Sequence, residues 1–264
     1  MTVSVFLLAG NAPAFAAAQL DAVPRAQDSR ASDSAALRRA ARSGPAARRI
    51  QALRAMGRIQ SAAYADAVIA QLGDPDPAVR TEAAFALGQL VMVESPEDDA
   101  SAAAKLSALR ARAGRALMPL AKSKDPAVRG AAVEALGKTG AASSQEALLK
   151  ALQDAGAPVR GEAALALFRS RYLKLVPEYS TAAVNALLAA FKDPDAGVRW
   201  RAAYAFSRWG EPRAAEALAR AAADEDMWVR LFALRALGQF KKEAPLDPLL
   251  KAMKDPEAAV RREA

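Results

Sequence analysis

Asp193-Pro194-Asp195-Ala196-Gly197-Val198-Arg199 runs directly into Trp200-Arg201-Ala202-Ala203-Tyr204-Ala205-Phe206, an acidic turn followed by an apolar-periodic stretch. The same phrase returns as Asp74-Pro75 with Val79-Arg80, Asp125-Pro126 with Val128-Arg129, and Asp255-Pro256 with Val260-Arg261. Looser copies are Asp154 with Val159-Arg160 and Asp224 with Val229-Arg230. A residue before proline is pushed out of the α region, which stops the preceding helix. The aspartate oxygen is then placed to accept from the free N–H groups of the next helix, with proline in its first turn, where no N–H is needed. A second acid such as Asp76, Asp195 or Glu257 favours the positive end of the helix dipole.

Counting from the valine, apolar residues fall at +4, +7, +8 and +11, as in Val79, Ala83, Ala86, Leu87 and Leu90. That spacing predicts an amphipathic helix, helix A of a repeated unit. Gly57, Gly88, Gly137 and Gly238 each lie nine residues after their valine position, a place where a partner helix approaches closely; Gly140 and Gly210 read as helix C-caps. The valines at 79, 128, 159, 198, 229 and 260 are separated by 49, 31, 39, 31 and 31 residues. A step of 31 with two helices, A and B, per step is the signature of a solenoid, and the excesses of 18 and 8 map to loops or lengthened helices.

The repeated D-P-x-x-x-V-R with A-A-x-A-L-G resembles HEAT repeats, most closely the short bacterial HEAT-like or phycobilisome-lyase-like type, over about Pro45 to Ala264. The resemblance implies an all-α chain, an α–α superhelix of about six to seven helix pairs. The seventh begins at Pro256 and stops inside helix A, so the chain is expected to be a fragment of something longer. In HEAT repeats the arginine typically reaches an aspartate of a neighbouring repeat. The resemblance therefore implies a structural ladder of Arg80, Arg129, Arg160, Arg199, Arg230 and Arg261 with Asp74, Asp154, Asp193, Asp224 and Asp255. Asp125 sits two residues nearer its arginine, which leaves its pairing open. Some HEAT-like enzymes hold two irons with His-Glu pairs; this chain has no histidine, which excludes that set. Nothing in the residues supports bilin-lyase chemistry.

The 264 residues are 53 % apolar and only 6 % aromatic, suited to close-packed helices built on small side chains. Residues 1–18, with Val3, Val5, Phe6, Leu7 and Leu8 ahead of Ala14-Phe15-Ala16-Ala17-Ala18, read as a secretory signal peptide cut after Ala16 or Ala18. Export to the periplasm or the outside follows if that reading holds, and a cytoplasmic location if it does not. No later run is long enough to span a membrane. Residues 19–44 read as a linker and a short basic helix near Ser34 to Arg42, and 45–264 as the repeat array. Without cysteine there is no disulfide, lipoprotein anchor or thiol nucleophile.

Nine basic and three acidic residues fall in 1–60, against 28 and 26 in 61–264, so the net charge of +8 describes the N-terminal segment and the array is nearly neutral. Nucleic-acid binding needs a clustered basic face, and Lys105, Arg110, Arg112 and Arg115 do not form one stripe. Glu94, Glu97, Asp98 and Asp99 lack the glycine and spacing of a calcium loop and read as a solvated acidic insertion. No catalytic, cofactor or metal residues are expected. The local departure is aromatic: Trp200, Tyr204 and Arg208 stand at +2, +6 and +10 from Val198, with Trp228 near. Other repeats hold Thr81, Gly130 or Gly161 at +2 and Glu134 or Arg235 at +6. Two readings stay open: a protein- or peptide-binding patch of Trp200, Tyr204, Arg208 and Trp228, or packing of Trp200 between helices against Leu231 or Trp228. For the whole chain the expectation is a non-catalytic scaffold for protein–protein contact. The alternatives are the accessory region of a longer exported enzyme, for example a cyclophilin-type peptidyl-prolyl isomerase with its catalytic domain beyond Ala264, and a nucleic-acid-binding solenoid.

Overall fold

The structure is a computed structural model that describes residues 33–92, 99–140 and 142–264. Residues 1–18, read above as a signal peptide, most of the stretch read as a linker and most of the acidic insertion lie outside them. Among the described residues there are α-helices and short 3₁₀ segments and no strand. The A helices are α2 (Ala46–Ile59), α4 (Pro77–Leu90), α6 (Pro126–Leu136), α8 (Ala157–Tyr172), α10 (Ala196–Phe206), α12 (Met227–Leu237) and α14 (Ala258–Glu263). The B helices are α3 (Ala65–Ala70), α5 (Ala100–Leu117), α7 (Ala142–Ala151), α9 (Thr181–Ala190), α11 (Ala215–Ala221) and α13 (Leu246–Ala252). Each A helix packs on the next, which makes one continuous stack from α2 to α14.

The short helix ahead of the first repeat is α1 (Ala35–Arg42), capped by Ser34. It is not separate from the array: Leu37, Ala40 and Ala41 are buried, and the Ser34 N–H donates to the Tyr64 hydroxyl at 2.8 Å. Alanine is the commonest residue of the interior, with Val79, Leu87, Val128, Leu136, Val159, Leu167, Val198, Phe206, Val229 and Leu237 fully or almost fully buried. These are the valine and +8 positions of the repeat, the stripe that helical periodicity assigns to the core.

The turns divide their labour between two acids. In Asp74-Pro75-Asp76-Pro77 the first carboxylate accepts from the Asp76 N–H at 2.9 Å, and the second caps α4 through the Ala78 N–H at 2.8 Å. Asp193 and Asp195 repeat this, at 3.0 Å to the Asp195 N–H and 3.1 Å to the Val198 N–H. Pro75, Pro194 and Pro256 therefore stand in the turn, one residue before the cap, while Pro77 and Pro126 open helices. Asp125 is the helix cap of its turn, accepting from Ala127 and Val128. Its place corresponds to Asp76, and the place of Asp74 is taken by Ser123.

Glycine matters most between α6 and α8, where a Cβ on Gly137 would lie 2.7 Å from the Ala166 Cα. At Gly57 and Gly88 the corresponding approach is 3.2 and 3.1 Å to an alanine of the next helix, whereas Gly238 faces open space and needs no close approach. Gly140 adopts φ +73°, as a C-cap does; Gly210 is not left-handed. The smaller insertion, 169–179, folds back onto repeat five: the Tyr179 hydroxyl, fully enclosed, donates to the Ala205 carbonyl at 2.7 Å.

Candidate functional site

The arginine of each phrase works in two directions. Nη1 donates backwards to two carbonyls of its own turn: Arg80 to Asp74 and Pro75, Arg129 to Ser123 and Lys124, and Arg160 to Asp154 and Ala155. Arg199, Arg230 and Arg261 do the same. The other edge of the guanidinium, Nε with Nη2, reaches forward to a carboxylate of the next turn. Arg129 meets Asp154, Arg160 meets Asp193, Arg199 meets Asp224 and Arg230 meets Asp255, each through two bonds of 2.6–3.0 Å. Arg49, which belongs to the worn first repeat, meets Asp74 in the same way. A planar fork on a planar carboxylate is the strong form of this interaction. The Arg129, Arg160 and Arg230 hydrogen bonds hold the carboxyls of Asp154, Asp193 and Asp255 below the usual carboxylate range. Burial pushes the Asp74 carboxyl up, but Arg49 and the Asp76 N–H outweigh it and the group also ends below that range.

Arg80 departs from the pattern. Its Nη1 bonds are in place, but Ser123 stands where the aspartate would be, and the Ser123 hydroxyl accepts only from the Asp125 N–H at 3.2 Å. Arg261 likewise has no forward carboxylate among the described residues. Where the forward aspartate is present, the ladder is thus a joint between repeats, with Arg129, Arg160, Arg199 and Arg230 bonded into the structure.

A second set of contacts crosses the stack on the outer face of the A helices, between position +6 of one repeat and +3 of the next. Arg54 donates to Glu82 at 2.8 Å, and Arg235 to Glu263 at 2.6 and 2.9 Å. In the middle of the array both places are acidic, Glu134 and Glu162. Lys138 neutralises the first at 2.7 Å and Arg169 clamps the second. At repeats five and six the pair is Tyr204 and Phe232, edge to face with centroids 5.1 Å apart.

That pair sits inside a row of rings. Tyr172 stacks on Phe168, Phe168 meets Tyr204 at 4.6 Å, and Phe232 is sandwiched by Trp200 at 5.4 Å and Trp228 at 6.3 Å. Trp200 and Tyr204 are half-buried, whereas Trp228 is 49 % and Tyr172 50 % exposed. Trp200 packs between A helices, against Phe232 rather than Leu231, and Trp228 lies open at the edge. Arg208 falls beyond the end of α10 at Phe206, and its guanidinium lies 4.9 Å over the Tyr172 ring. Arg201 lies 4.3 Å over Trp200 in a slot left by Gly161, where a Cβ would come 3.0 Å from the arginine Cδ. Its Nε is buried with no acceptor, and burial draws its pKa below the usual arginine range. Sequence reasoning missed Phe168 and Tyr172 of α8 and Phe232 of α12, because they meet the row from neighbouring repeats, and Arg201 of α10, because the slot that holds it beside Trp200 is left by Gly161 of α8.

Elsewhere the chemistry is quieter. Arg110 donates to the Val91 carbonyl at 3.1 Å and Arg112 pairs with Asp66, which leaves Lys105 and Arg115 as an exposed pair on α5. An open cleft of about 610 Å³ lies between B helices, lined by Met118, Lys122, Glu146 and Lys150 among others. No group of three or more metal-ligating side chains occurs among the described residues, nor a helix long and apolar enough to cross a membrane.

The family model of HEAT repeats matches residues 34–113, 93–167 and 182–264. No curated protein matches the chain in sequence. Among solved structures it is similar to the Escherichia coli protein YibA, with 17 % identity, 96 % of this chain and 87 % of that chain covered, and a TM-score of 0.62. It is also similar to an engineered protein, with 20 % identity over 75 % of this chain and 92 % of that one, at a TM-score of 0.54. The complex of CpcE and CpcF of phycocyanin lyase from Nostoc sp. shows 22 % identity over 99 % and 97 % of the chains, but its TM-score of 0.47 carries no argument. At these identities the likeness shows the fold alone.

Proposed function

The chain belongs to the HEAT-repeat family, and from that premise we propose that it is a non-catalytic scaffold that holds a protein partner on the A-helix face of repeats four to six. The observation that supports this most is the ring row from Tyr172 to Trp228, with both ends about half exposed and Arg208 unpaired beside one of them. Large aromatics with arginine on a packed surface are the composition of interface anchors. Arg129, Arg160, Arg199 and Arg230 of the ladder do not compete for this role, since their forks are bonded within the array. A chain without histidine or cysteine also lacks the usual base, metal ligand and thiol nucleophile. Export through the apolar segment at residues 1–18 is part of the proposal, tested by the N-terminal sequence of the mature chain.

The deciding experiment replaces Trp228 and Tyr172 by alanine together. Both side chains are half exposed, so the helices stay packed and the melting temperature should hold within a few degrees. Partner capture from the native extract should then be lost. Retention of every partner by the folded double variant refutes this site.

A further inference from the structure

Five joints along the stack are filled in the same way: a forward aspartate lies on the Nε–Nη2 edge of Arg49, Arg129, Arg160, Arg199 or Arg230. The joint between α4 and α6 keeps the receptor and lacks the acid. Arg80 is oriented by its two Nη1 bonds, at 2.8 and 2.9 Å, yet its Nε–Nη2 edge has no acceptor among the described residues. Ser123 holds the aspartate's place with a shorter side chain. Its hydroxyl oxygen accepts from the Asp125 N–H at 3.2 Å, which leaves the hydroxyl hydrogen to donate. The acids of the two turns are engaged elsewhere: Asp74 pairs with Arg49, Asp76 accepts from Ala78, and Asp125 accepts from Ala127 and Val128.

Lys124 adds a second free cation. In the filled turns the residue after the forward aspartate is Pro75, Ala155, Pro194, Glu225 or Pro256, and lysine stands there only in the unfilled one. Glu225 shows how far a side chain reaches from that place, since its carboxylate meets Nη2 of Arg199 at 3.1 Å. Lys124 is exposed and has no acidic partner among the described residues. A filled joint sets one carboxylate against one guanidinium. The unfilled one sets a guanidinium, an ammonium and a hydroxyl around the space that a carboxylate takes in the others. A doubly charged group with several oxygens matches that donor set, the fork by its two parallel N–H groups and the lysine as a point charge. We propose that the gap formed by Arg80, Ser123 and Lys124 binds a phosphate group, as the free anion or as a monoester. The site lies on other repeats than the aromatic row and does not depend on the scaffold reading.

The test follows proton–nitrogen NMR spectra of the full chain at constant ionic strength and about pH 7.5, where a phosphate monoester is doubly charged, while inorganic phosphate replaces chloride. The Arg80 Nε–H and the Asp125 amide should shift together and saturate with a Kd of about 1–10 mM. Ser123→Asp should abolish the saturable shift, because its carboxylate takes the fork. Lys124→Ala, an exposed change, should raise Kd about five- to tenfold, as expected for the loss of one charge-assisted contact. A second titration with O-phosphoserine separates the sources. Saturation by inorganic phosphate alone assigns the site to the free anion, and saturation by both assigns it to a phosphate group that a ligand carries. No saturable shift with either compound, an unchanged titration in Ser123→Asp, or an unchanged Kd in Lys124→Ala overturns the inference.

Discussion

Ser123→Asp should stabilise the chain, although it adds an acid two residues from Asp125. Four other turns that carry the forward aspartate have a second acid at this spacing, as Asp74 with Asp76 and Asp193 with Asp195 show. The new carboxylate would take over the Asp125 N–H now held by the Ser123 hydroxyl and would meet the Nε–Nη2 edge of Arg80. That guanidinium is already oriented by two bonds from Nη1, at 2.8 and 2.9 Å, so little further side-chain entropy is lost. A bidentate charge-assisted pair contributes about 1.5–3 kcal/mol when enclosed. Arg80 is only half-buried and the flanking Lys122 and Lys124 are exposed, so solvent screening reduces this to about 1 kcal/mol. For a chain of this length that is roughly 2–4 °C in Tm. Because solenoids open locally, amide exchange is the sharper assay: protection should rise in α4 and α6 and change little in α12. Two controls isolate the pair. Ser123→Asn keeps the turn acceptor without the charge, and Arg80→Ala with Ser123→Asp completes a double-mutant cycle. A gain that persists with Arg80→Ala, or no gain at all, would refute the joint as described.

Arg199→Ala should cost about 1–3 kcal/mol, because the largely enclosed Asp224 carboxylate would be left with only the Asp226 N–H, while Arg220→Ala on an exposed pair should cost little. Equal urea midpoints for the two variants would count against the ladder. Stability should also fall in acid. The carboxyls of Asp154, Asp193 and Asp255 are held below the ordinary range, so their contribution is full above about pH 4 and is lost as pH drops through the folded values. A urea midpoint that stays flat down to about pH 2.5 contradicts this. Gly137→Ala should destabilise by about 1–3 kcal/mol, since its Cβ would press 2.7 Å from the Ala166 Cα, whereas Gly238→Ala should be neutral or slightly stabilising. Comparable melting shifts for the two alanines would show that α6 and α8 have room to part.

How far the sequence reaches follows from the range of the interactions involved. Helix starts were legible in the acid-proline turns because capping acts within three residues: Asp76, Asp195 and Asp226 each bond an N–H two or three positions on. The buried stripe was legible because helical periodicity is local, and the solenoid because a step of 31 recurs. The role of Asp125 was not, since two aspartates with different jobs look alike until the neighbouring arginine shows which one it reaches. The aromatic site divides in the same way. Trp200, Tyr204 and Arg208 were visible as a stripe on one helix. Phe168, Tyr172 and Phe232 entered only through the stack, which sets position +6 of one repeat against +3 of the next. The amount of rotation between neighbouring A helices decides that register, and it depends on how closely residues such as Gly137 and Ala166 approach. Composition along one helix does not encode that distance; it emerges when alanine and glycine surfaces some 30 residues apart settle against each other.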